Sequence, residues 1–203
     1  MGKIHVLRNI LQIKIALAGA KPAIYRTILI EDDRTFYDFH NIIQIVMGWE
    51  NYHLFQFLAG KYVISDPTLL EEDGILNSKE IRLKQLFHEV GDKMKYEYDF
   101  GDGWIHNIRL EKILPFKLTE SYPTCIKGKR RCPPEDCGGI WGYENLIEVM
   151  ADKKHPEYKE TKSWLGGVFD PEEFDIQYIN EELKGLNDYI KNSMYEEEDV
   201  DDE

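Results

Sequence analysis

The sequence lacks long apolar runs and has few positive charges for its length. Its 203 residues include 25 Lys and Arg against 38 Asp and Glu, which gives a formal net charge of −13. No stretch approaches the roughly 20 apolar residues that a membrane-spanning helix needs. A negative balance also disfavours general binding to nucleic acids and to anionic membranes, because both attract basic surfaces. The sequence therefore argues against a membrane-spanning protein and against a protein that binds nucleic acids or anionic membranes over its general surface.

Cysteine is scarce as well. The chain has Cys125, Cys132 and Cys137, and no two of them form a Cys-x-x-Cys pair. An odd number of cysteines with no secretion signal favours a reducing cytoplasm over a disulfide framework. We therefore expect a cytoplasmic protein without disulfides.

The first twenty residues have the outline of a signal peptide but not its core. Lys3 and Arg8 precede the apolar stretch, as they would in a signal peptide. Gln12 and Lys14 interrupt that stretch, and the apolar residues Leu11, Ile13, Ile15 and Leu17 recur at every second position. A period of two is typical of a half-buried strand, so we predict a strand over about residues 10–18.

Much of the negative charge lies at the C-terminal end. Glu196 to Glu203 contain seven carboxylates and one Val, and removing these seven charges from −13 leaves −6 for the rest of the chain. Such a run is typical of a disordered, solvated tail. The length of the remainder suits one domain with a sizeable core. We predict a single domain over residues 1–190 and an acidic disordered tail over residues 191–203.

Strand patterns dominate before residue 112 and helix patterns after residue 142, which indicates the α+β class. The first strand and a second at 24–30 form a hairpin, followed by a helix that Thr35 caps and Gly48 ends. Two further strands, Tyr52–Leu58 and Lys61–Ile64, complete an N-terminal ββαββ unit. A further hairpin joins the mixed or antiparallel sheet, and helices concentrate in the C-terminal third.

Three weaker patterns complete the expected secondary structure. Helical spacing from Leu83 to Val90 predicts a short helix that ends at Gly91. The segment from Pro115 to Pro134 has little periodicity and is predicted to be a long loop. Asp170, followed by Pro171 and by Glu173, is typical of a helix start.

The segment Tyr96-Glu-Tyr-Asp-Phe-Gly-Asp-Gly-Trp-Ile-His106 predicts a β-hairpin and holds the densest set of aromatic, carboxylate and imidazole groups. A three-residue loop at 101–103 pairs Tyr98 with His106 and segregates the apolar side chains. A two-residue turn at 102–103 places Asp99 opposite His106 but mixes polar with apolar residues. We favour the first register, because a buried face selects it. His106 is then a hydrogen-bonded core histidine.

Motif residues throughout the chain resemble the plasmid pRiA4b ORF-3-like family, some of whose members are labelled passenger proteins of insertion elements. The resemblance runs from about residue 9 to 186. Its motifs are Ile24-Tyr-Arg26, Phe39-His40, Ile43-Gln44, Met47-Gly48-Trp49, His53-Leu54, Phe57, Tyr98-Asp-Phe-Gly-Asp102, Trp104, His106, Cys132-Pro-Pro-Glu-Asp-Cys-Gly-Gly139, Gly142-Tyr143, Phe169-Asp-Pro171 and Phe174-Asp175. Tyr25 and Arg131 depart from the usual Trp and Ala of the family. The resemblance implies fold and a mobile-element context but no activity, and no serine-recombinase signature supports the resolvase-like label of some members.

Two functional interpretations concern the hairpin. Asp99, Asp102 and His106 suggest a metal-dependent hydrolase, in which carboxylates orient an imidazole base or hold a metal. Asp102 is equally explained as a turn residue between glycines, and no Gly-x-Ser-x-Gly nucleophile motif is present. We therefore favour a non-catalytic binding or accessory module for an unknown protein or small-molecule ligand, with the hydrolase as alternative.

The cysteine loop offers a possible metal site. Cys125, Cys132 and Cys137 could hold zinc with His106 or His155 as the fourth ligand. The absence of a Cys-x-x-Cys pair, and the stiffness that Pro133-Pro134 already confers, favour buried free thiols instead. No cofactor is therefore predicted, and zinc is the alternative.

Four cations stand within five residues of the same loop, at Lys127, Lys129, Arg130 and Arg131. They could bind a phosphate or a nucleic-acid backbone. A solvated loop whose cations pair with Glu135 and Asp136 is the favoured interpretation. With Trp104, these four residues are the candidate ligand contacts, and nucleic acid is a partner only through this local segment.

Overall fold

The computed structural model describes residues 8–68 and 74–186. Within them, the chain forms eight strands, one 3-10 turn at Leu83–Gln85 and four helices. The elements are β1 (Asn9–Leu17), β2 (Tyr25–Glu31), α1 (Phe36–Met47), β3 (Phe55–Ala59), β4 (Tyr62–Ser65), β5 (Leu76–Asn77), β6 (Lys93–Tyr98), β7 (Trp104–Pro115), β8 (Thr124–Lys129), α2 (Gly139–Ala151), α3 (Tyr158–Trp164) and α4, helical over 176–186. The predicted acidic tail at 191–203 lies outside the described residues.

All eight strands belong to one sheet, in the order β5-β4-β3-β6-β7-β1-β2-β8. Neighbouring strands are antiparallel except β4 and β5, which are parallel. Along β1 the alternate residues Leu11, Ile13, Ile15 and Leu17 are buried, as their period of two predicts. The predicted α+β class with a mixed sheet is confirmed. No helix of the described segments is both long and apolar enough to cross a membrane.

Helix α1 packs its apolar side on β3 and β6. Phe36 and Phe39 contact the ring of Phe57 at centroid distances of 5.0 and 5.4 Å. The predicted caps are confirmed: Thr35 Oγ1 accepts the amide of Asp38 while the Asp38 carboxylate accepts the amide of Thr35, both at 3.0 Å. Gly48 ends the helix in the left-handed conformation, with φ 80°. These caps fix where α1 begins and where it ends.

Two sequence expectations fail where the backbone finds distant partners. The predicted helix at 83–90 is only a 3-10 turn, because the amides of Leu83 and Lys84 donate to the carbonyls of Arg34 and Asp32. The predicted loop from Pro115 to Pro134 contains β8, which pairs with the edge of β2. Pairing with β2 satisfies the backbone hydrogen-bonding groups of β8. This partner is distant in the chain, so the local sequence pattern did not predict the strand.

The C-terminal helix starts later than predicted. Asp175, not Asp170, caps α4, since Asp175 Oδ1 accepts the amides of Gln177 and Tyr178 at 2.9 and 3.0 Å. Residues 170–175 instead run alongside the segment that comes directly after β8, where the amide of Arg131 donates to the carbonyl of Pro171. Asn180 of α4 bonds both the amide and the carbonyl of Cys125, which docks the helix on β8.

Candidate functional site

The turn between β6 and β7 is longer than the sequence predicted. Tyr98 pairs with Trp104 and Tyr96 with His106, so the predicted pairs were wrong by two residues and the connection has five residues. Asp99 explains the difference, because its Oδ1 accepts the amide of Gly101 at 2.9 Å. The shift is even, so every side chain keeps its predicted face.

The loop at residues 132–138, between β8 and α2, lies directly against this turn. Asp102 Oδ2 accepts the amide of Gly138 at 3.1 Å. Gly139 has φ 67°, and a Cβ there would stand 2.5 Å from the carbonyl oxygen of Asp102. Trp49 Nε1, just beyond α1, donates to the carbonyl of Pro133 at 2.9 Å. The turn, the 132–138 loop and the end of α1 therefore form one interlocked surface.

Tyr98 joins these segments through its hydroxyl. The oxygen accepts the amides of Tyr52 and His53 at 3.0 and 3.4 Å and donates to a carboxylate oxygen of Glu135. Burial, together with the hydrogen bond to Glu135, raises the pKa of Tyr98 well above its ordinary value, so the hydroxyl remains a donor at neutral pH. Glu135 also accepts the amide of Glu50 at 2.8 Å. One phenol thereby holds residues 50–53 against the 132–138 loop.

Replacing Tyr98 with Phe is expected to lower the free energy of unfolding by about 2 kcal/mol, because the change leaves the Glu135 carboxylate without its hydroxyl donor. Urea denaturation monitored by circular dichroism measures the loss. Tyr62→Phe is the control, since Tyr62 is 42% exposed, and it should change stability by less than about 0.5 kcal/mol. Equal stabilities of Tyr98→Phe and the parent would contradict this assignment.

A mixed histidine and carboxylate cluster lies beside Tyr98. His53 Nε2 is 3.3 Å from Asp136 Oδ1 and 3.7 Å from Asp99 Oδ2. In residues 8–68 and 74–186, these three make the one set of at least three His, Cys, Asp or Glu whose ligand atoms all lie within 4.8 Å of one another. The side chains of Asp99, His53 and Asp136 are 10, 27 and 70% exposed, respectively. The cluster is therefore reachable from solvent on its Asp136 side.

The hydrolase set suggested by the sequence does not assemble. Asp102 bonds the amide of Gly138, and Asp99 faces His53. His106 lies fully buried in the core, with Nδ1 3.2 Å from the carbonyl oxygen of Trp104. Burial lowers the pKa of His106 to about 4. A base and its orienting carboxylate must be within hydrogen-bonding reach, and among the described residues this trio is not such a set.

The three candidate cysteines also do not form a shared site among the described residues. Cys132 is buried and accepts a hydrogen bond from Arg26 at 3.3 Å, while Cys125 is buried on β8. Burial raises the pKa of Cys132, and burial with the nearby Asp102 raises that of Cys137 to about 12. Such thiols are not preformed thiolate ligands. Over the described part of the chain, the three cysteines with His106 form no metal-sized cluster.

The basic segment is divided between solvent and structure. Lys127 and Lys129 are exposed on β8. Arg130 is buried with Nε 2.7 Å from Glu172, and Arg131 lies 2.7 Å from Glu173. The expected partners Glu135 and Asp136 were therefore wrong, because the segment at 170–175 returns to this loop. Trp104, the fifth candidate contact, is fully buried and offers no surface to a ligand.

An open cleft of about 630 Å³ lies between the end of α1, the 132–138 loop, the end of α3 and the start of α4. Its acidic lining residues are Glu50, Glu135, Asp136, Glu173 and Asp175, against Arg26 and Arg131. Tyr52, Trp164 and Tyr178 line it too and are 74, 52 and 60% exposed. The cleft thus combines an excess of negative charge with accessible aromatic rings.

Sequence reasoning placed the hairpin and the loop among the motifs but missed both the cleft and the cluster. His53 and Asp136 each stand inside a motif, yet no spacing rule connects residues 53, 99 and 136. The sheet order places β3 beside β6. The hydrogen bond from the Tyr98 hydroxyl to Glu135 then holds the 132–138 loop against these strands. The signal available in the sequence was that His53 and Asp99 each lie close to the end of a predicted strand.

Comparisons with known proteins agree with the motifs. The chain is 31% identical over 183 residues to "Uncharacterized protein y4hQ" of Sinorhizobium fredii (strain NBRC 101917 / NGR234), covering 89% of this chain and 94% of that protein. A crystal structure of the protein of unknown function MM3350 from Methanosarcina mazei Go1 superposes with a TM-score of 0.77 at 40% identity, covering 85% of this chain and 98% of that one. The model of the plasmid pRiA4b ORF-3-like proteins matches residues 9–178, and the chain belongs to this family.

Proposed function

We propose that this protein is a non-catalytic cytoplasmic binding or accessory module whose ligand surface is the acidic cleft. The observation that carries the proposal is the concave site of about 630 Å³ with exposed aromatic and carboxylate side chains. Large exposed aromatic rings beside a concave surface are typical of binding sites. The hydrolase trio suggested by the sequence, Asp99, Asp102 and His106, is not assembled among the described residues.

The charge of the cleft selects a cationic ligand. Five carboxylates and two guanidinium groups line the cleft, which leaves an excess of three negative charges. One carboxylate, Glu173, is paired with Arg131. Ammonium or guanidinium groups stack favourably on Tyr and Trp rings, at about 0.5–1 kcal/mol for an exposed pair. We therefore assign the ligand to the class of Lys- or Arg-bearing peptides of a partner protein.

An arginine-rich peptide is expected to bind saturably. Calorimetric titration and the fluorescence of Trp164 measure this binding. A glutamine-rich peptide of equal length should not bind. Glu50→Gln combined with Trp164→Ala should weaken the peptide at least tenfold, since it removes one charge and one ring from the cleft. Glu148→Gln, at an exposed position of α2, is the matched control and should bind like the parent. Equal binding by both variants would reject the cleft.

The non-catalytic half of the proposal has its own test. Purified protein is incubated with phosphoester and peptide substrates, and no turnover above background is expected. Turnover that His106→Ala abolishes while the fold persists would overturn this half. A random oligonucleotide serves as a further probe, and salt-sensitive binding that falls on Lys127→Ala and Lys129→Ala would redirect the proposal to the exposed part of the basic segment.

A further inference from the structure

The geometry points to a divalent metal site formed by His53, Asp99 and Asp136, with one imidazole nitrogen and two carboxylate oxygens as protein ligands. The three residues come from three separate segments: the connection before β3, the β6–β7 turn and the 132–138 loop. This inference is independent of the proposed peptide cleft, although Asp136 also lines that cleft.

The separations between the ligand atoms suit a shared ion. Metal–ligand bonds of about 2.0–2.2 Å in tetrahedral geometry place ligand atoms about 3.4 Å apart. His53 Nε2 lies 3.3 and 3.7 Å from the two carboxylate oxygens. Charge-assisted hydrogen bonds are shorter, at about 2.7–2.9 Å. The two distances from His53 therefore match the edges of a coordination shell better than tight hydrogen bonds, and all three ligand atoms lie within 4.8 Å of one another.

His53 Nε2 supplies a second, independent observation. It is inaccessible to solvent and makes no hydrogen bond within the described residues, although it points at both carboxylates. Asp99 is nine-tenths buried, and its Oδ2 faces His53 while Oδ1 takes the turn amides. A solvent-inaccessible nitrogen with two carboxylate oxygens within 3.7 Å, but with no aligned hydrogen bond to either, is an arrangement that a bound cation would satisfy.

The surrounding groups hold each ligand in place. The Gly101 and Asp102 amides orient the Asp99 carboxylate. Tyr98 packs edge-on against the His53 ring, with centroids 5.7 Å apart, and its hydroxyl accepts the His53 amide. The same hydroxyl donates to Glu135, the neighbour of Asp136. Asp99 thus has the outer hydrogen bonds that typically fix a metal ligand, while the bonds of Tyr98 hold the backbone segments that carry His53 and Asp136.

The donor set indicates the kind of cation. Imidazole suits Zn²⁺ and other first-row transition metals, whereas sites for Mg²⁺ or Ca²⁺ use oxygen ligands alone or nearly so. Three protein ligands leave a fourth tetrahedral position for water or a ligand group. Asp136 is 70% exposed and lines the cleft, so the site is reachable from that side. The site is thus a three-ligand zinc-type site with an open coordination position.

Calorimetric titration of metal-free protein with Zn²⁺ alone is expected to show one equivalent bound, and Co²⁺ should give the visible absorption of a low-coordinate site. Asp136→Asn and Asp99→Asn should each weaken Zn²⁺ at least tenfold. Both positions have positive φ, 57° and 55°, which an asparagine tolerates. The side-chain oxygen of the Asp99→Asn variant can still accept the turn amides. Unfolding curves confirm that these variants remain folded.

Three controls separate this site from other metal-binding groups. His88→Ala removes an exposed histidine, Cys137→Ser removes the thiol beside Asp136, and Glu148→Gln removes a remote carboxylate; each should bind Zn²⁺ like the parent. Loss of binding in Cys137→Ser with retention in Asp99→Asn would overturn the inference in favour of the cysteines. Absence of stoichiometric Zn²⁺ binding by the parent would overturn it outright, whatever the peptide titration shows.

Discussion

Lowering the pH from 7 to 4 is expected to reduce the free energy of unfolding by about 6 kcal/mol through two buried histidines. The pKa of His40 and that of His106 each fall from 6.5 to about 4 on folding. One pKa unit corresponds to about 1.4 kcal/mol. Each histidine therefore contributes about 3 kcal/mol of stability at neutral pH that is absent at pH 4.

The cause is burial of both rings among aromatic groups. His40 stacks on Phe55 at 3.6 Å and lies 2.8 Å from the Tyr96 hydroxyl and 2.7 Å from Asn51 Oδ1. His106 is fully buried against Trp49 and Tyr96. These groups provide no carboxylate at hydrogen-bonding distance to compensate an imidazolium. Desolvation therefore favours the neutral rings.

Because the folded-state pKa values lie below the unfolded-state value, the unfolded chain binds more protons between pH 6.5 and 4. Stability is then fully present above about pH 6.5 and is lost as the pH falls toward 4. Urea denaturation at a series of pH values measures this slope. His106→Gln should remove about half of it, although the variant starts from lower stability, and His88→Gln, at an exposed position, should leave it unchanged. A parent profile that is flat between pH 6.5 and 4 would contradict the prediction.

Replacing Arg26 with Ala is expected to destabilise the fold by about 3–5 kcal/mol, since it leaves several buried acceptors without a donor. Arg26 is 3% exposed. Its guanidinium donates to the carbonyls of Val46, Tyr25 and Lys129 at 2.8, 2.9 and 3.1 Å. It also lies 4.6 Å from the centre of the Phe174 ring. One side chain therefore joins α1, β2, the end of β8 and the segment before α4.

Arg26→Lys should recover only part of the loss, because an ammonium group cannot reproduce the planar fork of donors. Arg109→Ala on β7 is the matched control; Arg109 is exposed, and the change should cost less than about 0.5 kcal/mol. Guanidinium chloride denaturation measures all three. Similar stabilities for Arg26→Ala and Arg109→Ala would refute this role.

Local sequence determined most of the elements. Thr35 with Asp38, and Gly48, set the ends of α1 because capping depends on neighbouring residues. The alternation from Leu11 to Leu17 predicted β1, because hydrophobic periodicity is likewise a local property of the sequence. The C-terminal cap was misassigned because Asp170 and Asp175 are both plausible caps. The bonds of the 170–175 segment to Arg130 and Arg131 select Asp175.

The composition and local patterns of this chain determined the α+β class, α1 with its caps, and the aromatic face of the hairpin. Only the tertiary structure decided that β8 pairs with β2 and that His53, Asp99 and Asp136 meet. Strand order and loop docking are set by burial and hydrogen bonding between residues far apart in the chain. Local periodicity carries no record of such pairings, so the cleft and the cluster emerge only when the sheet is assembled.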